Sequence, residues 1–217
     1  MLYNLEILNK MHIIPHCDIP TRLEQLYIPQ ILDDSTTNNN VKNSKIKIAY
    51  VGTFSEYKGG RLFLDLIYNL REWNEYQIEY HIFGKHTPSE NDNALREYVY
   101  FNGVYSDDTI IKDLYDKGIH IITSLSTLEE TYCYALSLLI NSGLPIIYLN
   151  RGALRTRLNN EYPRMFSFEE PSCDTIIKTA SSAIEYVIAN QGRQDLIHMP
   201  SKIMINEGYH KLYLSEQ

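Results

Sequence analysis

The sequence predicts an α/β fold, a Rossmann-like doubly wound parallel sheet, on three observations. Short apolar runs stop at glycines (Gly52, Gly84, Gly103), stretches with helical apolar spacing lie between them, and the connections are short. Strands that alternate with helices in this way form a parallel sheet covered on both faces through right-handed crossovers. Ligands of such sheets bind beyond the carboxyl ends of the strands, where the strand order reverses.

Each element has its own signal. Ile46 to Gly52 alternates and then runs apolar, as a buried strand does. Leu62, Phe63, Leu66, Ile67 and Leu70 mark one face of a helix. Gln77 to Gly84 and the stretch YVYFNG (98–103) read as the second and third strands, with TPSENDN (87–93) as a loop between them. Ser106 is a candidate N-cap for a helix through Lys117, with Ile110, Ile111, Leu114 and Tyr115 inward. Ile119 to Thr123 is the fourth strand, and ETYCYALSLLINSG (130–143) a buried helix stopped by Gly143. LPIIYLN (144–150) and RMFSF (164–168) supply two further strands. Ser172 caps the last helix, which turns Ile176, Ile177, Ala180, Ile184, Val187 and Ile188 inward and ends near Gly192. Residues 33–45, DDSTTNNNVKNSK through its last lysine, are polar and aperiodic and read as a linker.

Composition limits the function classes. The 217 residues carry a formal net charge of −7, with 44% hydrophobic and 22% charged residues. That balance suits a globular protein, and the negative charge argues against a nucleic-acid partner. No apolar run is long enough for an integral membrane segment, and the N-terminal residues carry no signal-peptide pattern, so a cytoplasmic protein is expected. Cys17, Cys133 and Cys173 are odd in number and widely spaced, which gives neither a disulfide framework nor a zinc site. His12, His16 and His120 have no metal-ligand spacing, and Ser124 and Ser126 no nucleophile–base pattern. Arg151, Arg155 and Arg157 follow the fifth strand, where they could meet an anion at the sheet's carboxyl edge, though arginines on a helix surface are the commoner explanation, and the 18 tyrosines form no RNA-stacking motif.

Two loops could carry chemistry. Val51 to Arg61, VGTFSEYKGGR, places glycines at a strand end and Lys58 beside a helix N-terminus, an arrangement that suits phosphate. It is neither G-x-G-x-x-G nor a Walker A loop, and on local spacing alone it is also an ordinary strand-to-helix turn with a solvated lysine. Thr123 to Ile147, TSLSTLEETYCYALSLLINSGLPII, places Glu129 and Glu130 ahead of a buried helix, where acidic residues commonly complement the helix dipole.

The second loop resembles the donor-site signature of the retaining GT-B glycosyltransferases of glycosyltransferase family 4, whose members commonly read PS…E-T/G-x-x-x-x-L-S-E-A-x-x-x-G-x-P-V. Further segments follow in family order: Ile14, Pro15, His16, Asp18 and Ile19 as an interdomain hinge, then Gly52, Lys58 and Gly59, then Phe83 and Gly84, then Phe101, Gly103 and Val104. The resemblance implies the C-terminal, nucleotide-sugar-binding half of a GT-B fold over residues 46–192. Residues 1–32 would be a hinge remnant, 33–45 the linker and 193–217 a C-terminal tail. It implies a nucleotide-diphosphate sugar as donor substrate, transfer with retention of configuration, and no metal or other cofactor. Lys58 and Glu130 are the implied catalytic residues. Gly52, Thr53, Gly84, Val104, Tyr105, Thr131, Tyr132, Cys133 and Tyr134 are the implied donor-binding residues.

Three departures from the family pattern bear on that expectation. Leu138 stands where the family has a second glutamate facing the ribose; a lost hydrogen bond of that kind is worth ~1.5–3 kcal/mol, roughly 10- to 150-fold in affinity. Thr53 stands where many members carry an arginine. Little sequence precedes the hinge, so the resemblance further implies an acceptor-domain protein or a homo-oligomer as partner. Polysaccharide biosynthesis, in the cytoplasm or peripherally at the inner face of the membrane, is the setting it suggests. The rival expectation is a catalytically inactive nucleotide-sugar-binding or structural remnant.

Overall fold

The computed structural model describes residues 28–32, 44–85, 95, 98–130, 133–158 and 164–192. The chain divides into two units, one of residues 1–20 with 200–217 and one of residues 21–199, and every described residue belongs to the second. The hinge motif, His12, His16, Cys17, Thr131, Tyr132 and the tail from residue 193 lie outside the described residues, as do 33–43 of the linker and the loop at 87–93.

The predicted alternation is present. In chain order the elements are β1 (Lys45–Val51), α1 (Gly60–Asn69), β2 (Glu72–Trp73), β3 (Tyr76–Phe83), β4 (Val99–Gly103), α2 (Ile110–Asp116), β5 (Ile121–Ser124), α3 (Tyr134–Ser142), β6 (Ile146–Leu149), α4 (Gly152–Arg157), β7 (Met165–Phe168) and α5 (Cys173–Asn190). The sheet order is β2-β3-β1-β5-β6-β7, with β4 also paired to β3. All pairings are parallel except β2 with β3. From β1 the chain winds outward through β3 to β4, then returns to the other side of β1 and continues through β5, β6 and β7. The order therefore reverses between β1 and β5, where Tyr50 pairs with Thr123.

Strand alternation divides the core between the two faces. Ile46, Ile48 and Tyr50 of β1 join Tyr80 and Ile82 of β3 in a cluster with Phe63, Leu66 and Ile67 of α1 and Ile184 and Val187 of α5. Ala49 and Val51 turn to the opposite face, with Phe83, Ile110, Leu114, Ile122, Leu136, Leu139 and Ile146. Helix α1 packs beside α5 on the first face, and α2 beside α3 on the second. Ile28 is fully buried in the first cluster, its carbonyl accepting from the Gly192 N–H at 3.0 Å, so residues 28–32 pack at the end of α5.

The last helix starts as expected: the Ser172 hydroxyl accepts from Thr175 N–H and the two side chains form a capping box. Three details differ from expectation. Strand β2 is an antiparallel pair of residues too short to show a period. Helix α2 starts at Ile110, because the Ser106 carbonyl accepts from the N–H groups of Thr109 and Ile110 and closes a turn first. Helix α3 starts at Tyr134, not Glu130. The Glu130 carbonyl accepts from Ala153 N–H at 2.8 Å, which ties that residue to the start of α4, and Cys133 turns the chain through φ 60° just before the helix.

Candidate functional site

The described donor-site residues that the sequence implies lie at the carboxyl edge of the sheet, on the loops after β1, β3, β4 and β5. Close backbone packing brings those loops together. The Gly52 N–H donates to Phe83 O at 2.8 Å and the Gly84 N–H to Gly103 O at 2.7 Å. Gly84 has φ 139°, and a Cβ there would stand 1.9 Å from Gly52 O, so only glycine fits. Gly59, with φ 85°, allows the β1 loop to meet the β5 loop: a Cβ would lie 2.1 Å from Leu125 O. The two loops are further joined where Thr127 donates its N–H (3.0 Å) and its hydroxyl (3.1 Å) to Tyr57 O.

That junction places Lys58 Nζ 2.9 Å from Glu130 Oε1. The lysine is half-exposed and the carboxylate largely covered, with side-chain exposures of 43% and 17%. Burial by itself raises the Glu130 carboxyl, but hydrogen bonds from Lys58 and Ser126 and the Lys58 charge outweigh it, so the group is held below its ordinary value. The carboxylate in turn acts on its neighbours. Burial and then the Glu130 charge push the Cys133 thiol up, and the same pair of causes raises the Tyr50 phenol. Both remain protonated donors beside an ionised Glu130.

Around this pair, Thr53 is exposed and Gly52 half-buried, while Val104 stands 80% exposed at the end of β4. Tyr105 and Cys133 pack on the edge of the second core cluster. Cys133 and the backbone of Tyr134 form the start of α3. The structure thus sets Gly52, Thr53, Lys58, Gly84, Val104, Tyr105, Glu130, Cys133 and the backbone of Tyr134 along one edge, and brings Lys58, Glu130 and Cys133 into interaction. Leu138 lies in the second cluster with 7% exposure and offers no polar group. His120 is buried before β5, its Nδ1 accepting from Lys47 N–H at 3.0 Å, away from this edge. Arg151 precedes α4 and Arg155 is exposed on it.

Two further residues join the site: Tyr50, which the sequence does not single out, and Ser126, which in sequence shows only the lack of a nucleophile–base pattern. Tyr50 lies inward on β1, and its hydroxyl is 3.0 Å from Thr53 O and 2.9 Å from Lys58 O, at both ends of the β1 loop. Its signal was a tyrosine at an inward position one residue from the strand end, where a buried hydroxyl needs a partner. Ser126 is buried, with its hydroxyl 3.4 Å from the carbonyls of Tyr57 and Leu128. Among the described residues, no group of three or more His, Cys, Asp or Glu side chains is placed to hold a metal ion, and no helix is long and apolar enough to cross a membrane.

No protein-family model and no curated protein sequence matches the chain. Solved structures do. The apo form of the lipopolysaccharide outer core galactosyltransferase WaaB aligns over 96% of this chain and 57% of its own, with TM-score 0.64 and 12% identity. Anabaena HepE in complex with UDP and glucose aligns over 82% of this chain and 50% of its own, with TM-score 0.52 and 16% identity. The catalytic domain of the cholesterol-α-glucosyltransferase from Helicobacter pylori aligns over 79% of this chain and 99% of its own, with TM-score 0.52 and 17% identity. The chain thus spans about half the length of WaaB and HepE. Its α/β architecture is that of a GT-B glycosyltransferase domain.

Proposed function

We propose that this chain binds a nucleotide-diphosphate sugar at the carboxyl edge of its sheet, as the donor half of a retaining GT-B glycosyltransferase. The observation that carries the reading is the Lys58–Glu130 pair, set between two loops at the point where the strand order reverses. The similarity to HepE, crystallised with UDP and glucose, supports a ligand of that class.

In this reading the Lys58 ammonium and the N-terminal turn of α1 meet the diphosphate, and the backbone at Cys133 and Tyr134 approaches it from α3. Glu130, ionised and mostly shielded from water, accepts hydrogen bonds from sugar hydroxyls. During transfer the bond from the anomeric carbon to the diphosphate breaks, and its electron pair leaves on the phosphate oxygen. The acceptor oxygen takes the same face of the sugar and gives its proton to the departing phosphate oxygen. Negative charge grows on the diphosphate as this happens, so a fixed cation and helix N-termini at that position stabilise the transition state more than the ground state. The acceptor-binding half comes from a partner chain or from further sequence.

A second reading, donor binding without catalysis, has one observation in its favour: position 138 presents a buried leucine and no carboxylate for the ribose. Calorimetry of the purified chain against UDP-, GDP-, ADP- and TDP-sugars tests the shared core of both. Saturable binding of one donor supports it, and no binding at millimolar concentration overturns it. Sugar transfer or donor hydrolysis with a bound donor then favours the catalytic reading.

A further inference from the structure

Two tyrosines on the same face of the sheet each bring a buried hydroxyl to backbone carbonyls, with different consequences. Tyr80 donates toward Leu66 O (3.1 Å) and Leu70 O (2.5 Å), in the last turn and at the C-cap of α1. Tyr50 is 2% exposed, and its single hydroxyl proton lies between Thr53 O and Lys58 O, carbonyls five residues apart on the β1 loop. Packing does not require that hydroxyl. The Tyr50 ring makes an edge contact with Phe54 at 5.1 Å and a tilted one with Phe63 at 5.4 Å, which phenylalanine would make equally well. A buried hydroxyl costs free energy unless it is bonded, so its place under the loop is accounted for by the two carbonyls it holds.

The hydroxyl acts on the loop that presents Lys58. The Phe54 N–H donates to Lys85 O at 2.9 Å, so the peptide joining Thr53 to Phe54 is fixed from both sides. At the other end, the Lys58 carbonyl is drawn inward while its side chain projects to Glu130. Helix α1 follows directly, with Gly59 as its N-cap.

We propose that Tyr50 is a positioning residue of the donor site, its hydroxyl clamping the loop from Thr53 to Lys58 so that the Lys58 ammonium is held where it pairs with Glu130 in the free protein and with the diphosphate in the donor complex. The proposal rests on the donor-binding reading for its ligand, but the clamp itself has a consequence that needs no ligand.

The experiment compares Tyr50→Phe with Tyr80→Phe, each alone and with Lys58→Ala, using UDP as the probe in calorimetry and carboxyl NMR to follow the Glu130 titration. Tyr50→Phe is expected to weaken UDP binding about three- to tenfold, the worth of one buried hydrogen bond. In the Lys58→Ala background the same change should have almost no further effect, because coupled residues are not additive. The Glu130 titration should move up toward an ordinary carboxyl in Tyr50→Phe. Tyr80→Phe should lower thermal stability and leave both readouts as in the wild type. An unchanged Glu130 titration in Tyr50→Phe, or an equal loss of UDP affinity with and without Lys58, overturns the proposal. If the wild-type chain binds no UDP or other nucleotide, the donor-binding reading falls by itself, and the Glu130 titration still decides whether Tyr50 sets the ion pair.

Discussion

Lys58 and Glu130 lie 72 positions apart in sequence and meet at 2.9 Å, one on the loop after β1 and the other on the loop after β5. They bridge the two neighbouring strands between which the winding of the sheet reverses direction. The pair leaves the lysine half-exposed and the carboxylate largely covered; in the proposed reading a diphosphate competes for the lysine while the carboxylate turns to sugar hydroxyls.

Glu130→Gln tests that division of labour. The variant keeps the shape of the side chain and frees Lys58 from its competitor. UDP affinity is expected to hold or rise, whereas the advantage of UDP-sugar over UDP should shrink. The unfolding free energy should fall by no more than about 1 kcal/mol, since the pair is partly solvated. Calorimetry with UDP and with UDP-sugar side by side reads this. An undiminished preference for the sugar would place the sugar elsewhere.

Gly84→Ala tests the packing that gathers the loops. The new Cβ would collide with Gly52 O, at a backbone angle that L residues rarely adopt. A loss of about 2–4 kcal/mol in urea unfolding is expected. A variant as stable as the wild type would mean that the strand-end glycines are not in this close contact.

Stability should fall in mild acid because of His120. Burial, with the Lys47 charge adding to it, lowers this histidine from 6.5 to about 4. Its Nδ1 accepts the Lys47 N–H and cannot take a proton without losing that bond. The Gln30 backbone and then the Glu79 charge oppose the shift, and His81 adds to it. The unfolded chain therefore binds a proton below pH 6.5 that the folded chain refuses until about pH 4. The stability lost between pH 7 and pH 5 is about 2 kcal/mol. His120→Asn, which keeps an acceptor for Lys47 and cannot titrate, should flatten that part of the profile. An equally steep loss in the variant would assign it to another group.

Much of the fold was legible because its signals are local. Gly52 and Gly84 end apolar runs, Ser172 stands before a helical repeat, and the Leu62–Leu70 spacing marks one face; each depends on a few neighbouring residues. The start of α3 was not legible. It is set by Cys133 in a left-handed conformation and by Glu130 bonding to Ala153 across the sheet edge, and neither leaves a trace in sequence spacing. The site shows the same division. Lys58 and Glu130 each stood out through a resemblance to known motifs, but their contact needs β1 and β5 side by side. Tyr50 read as one more inward residue of a strand, and its hydroxyl acquires a role only when the following loop folds back over it.

Calorimetric binding of UDP-, GDP-, ADP- and TDP-sugars to the wild-type chain and to Lys58→Ala tests donor binding at this edge most directly. Donor binding at this edge predicts saturable binding of one nucleotide sugar, weakened by ~1.5–3 kcal/mol in the variant, about 10- to 150-fold. Absence of binding to every donor, or equal affinity in the two proteins, would contradict it.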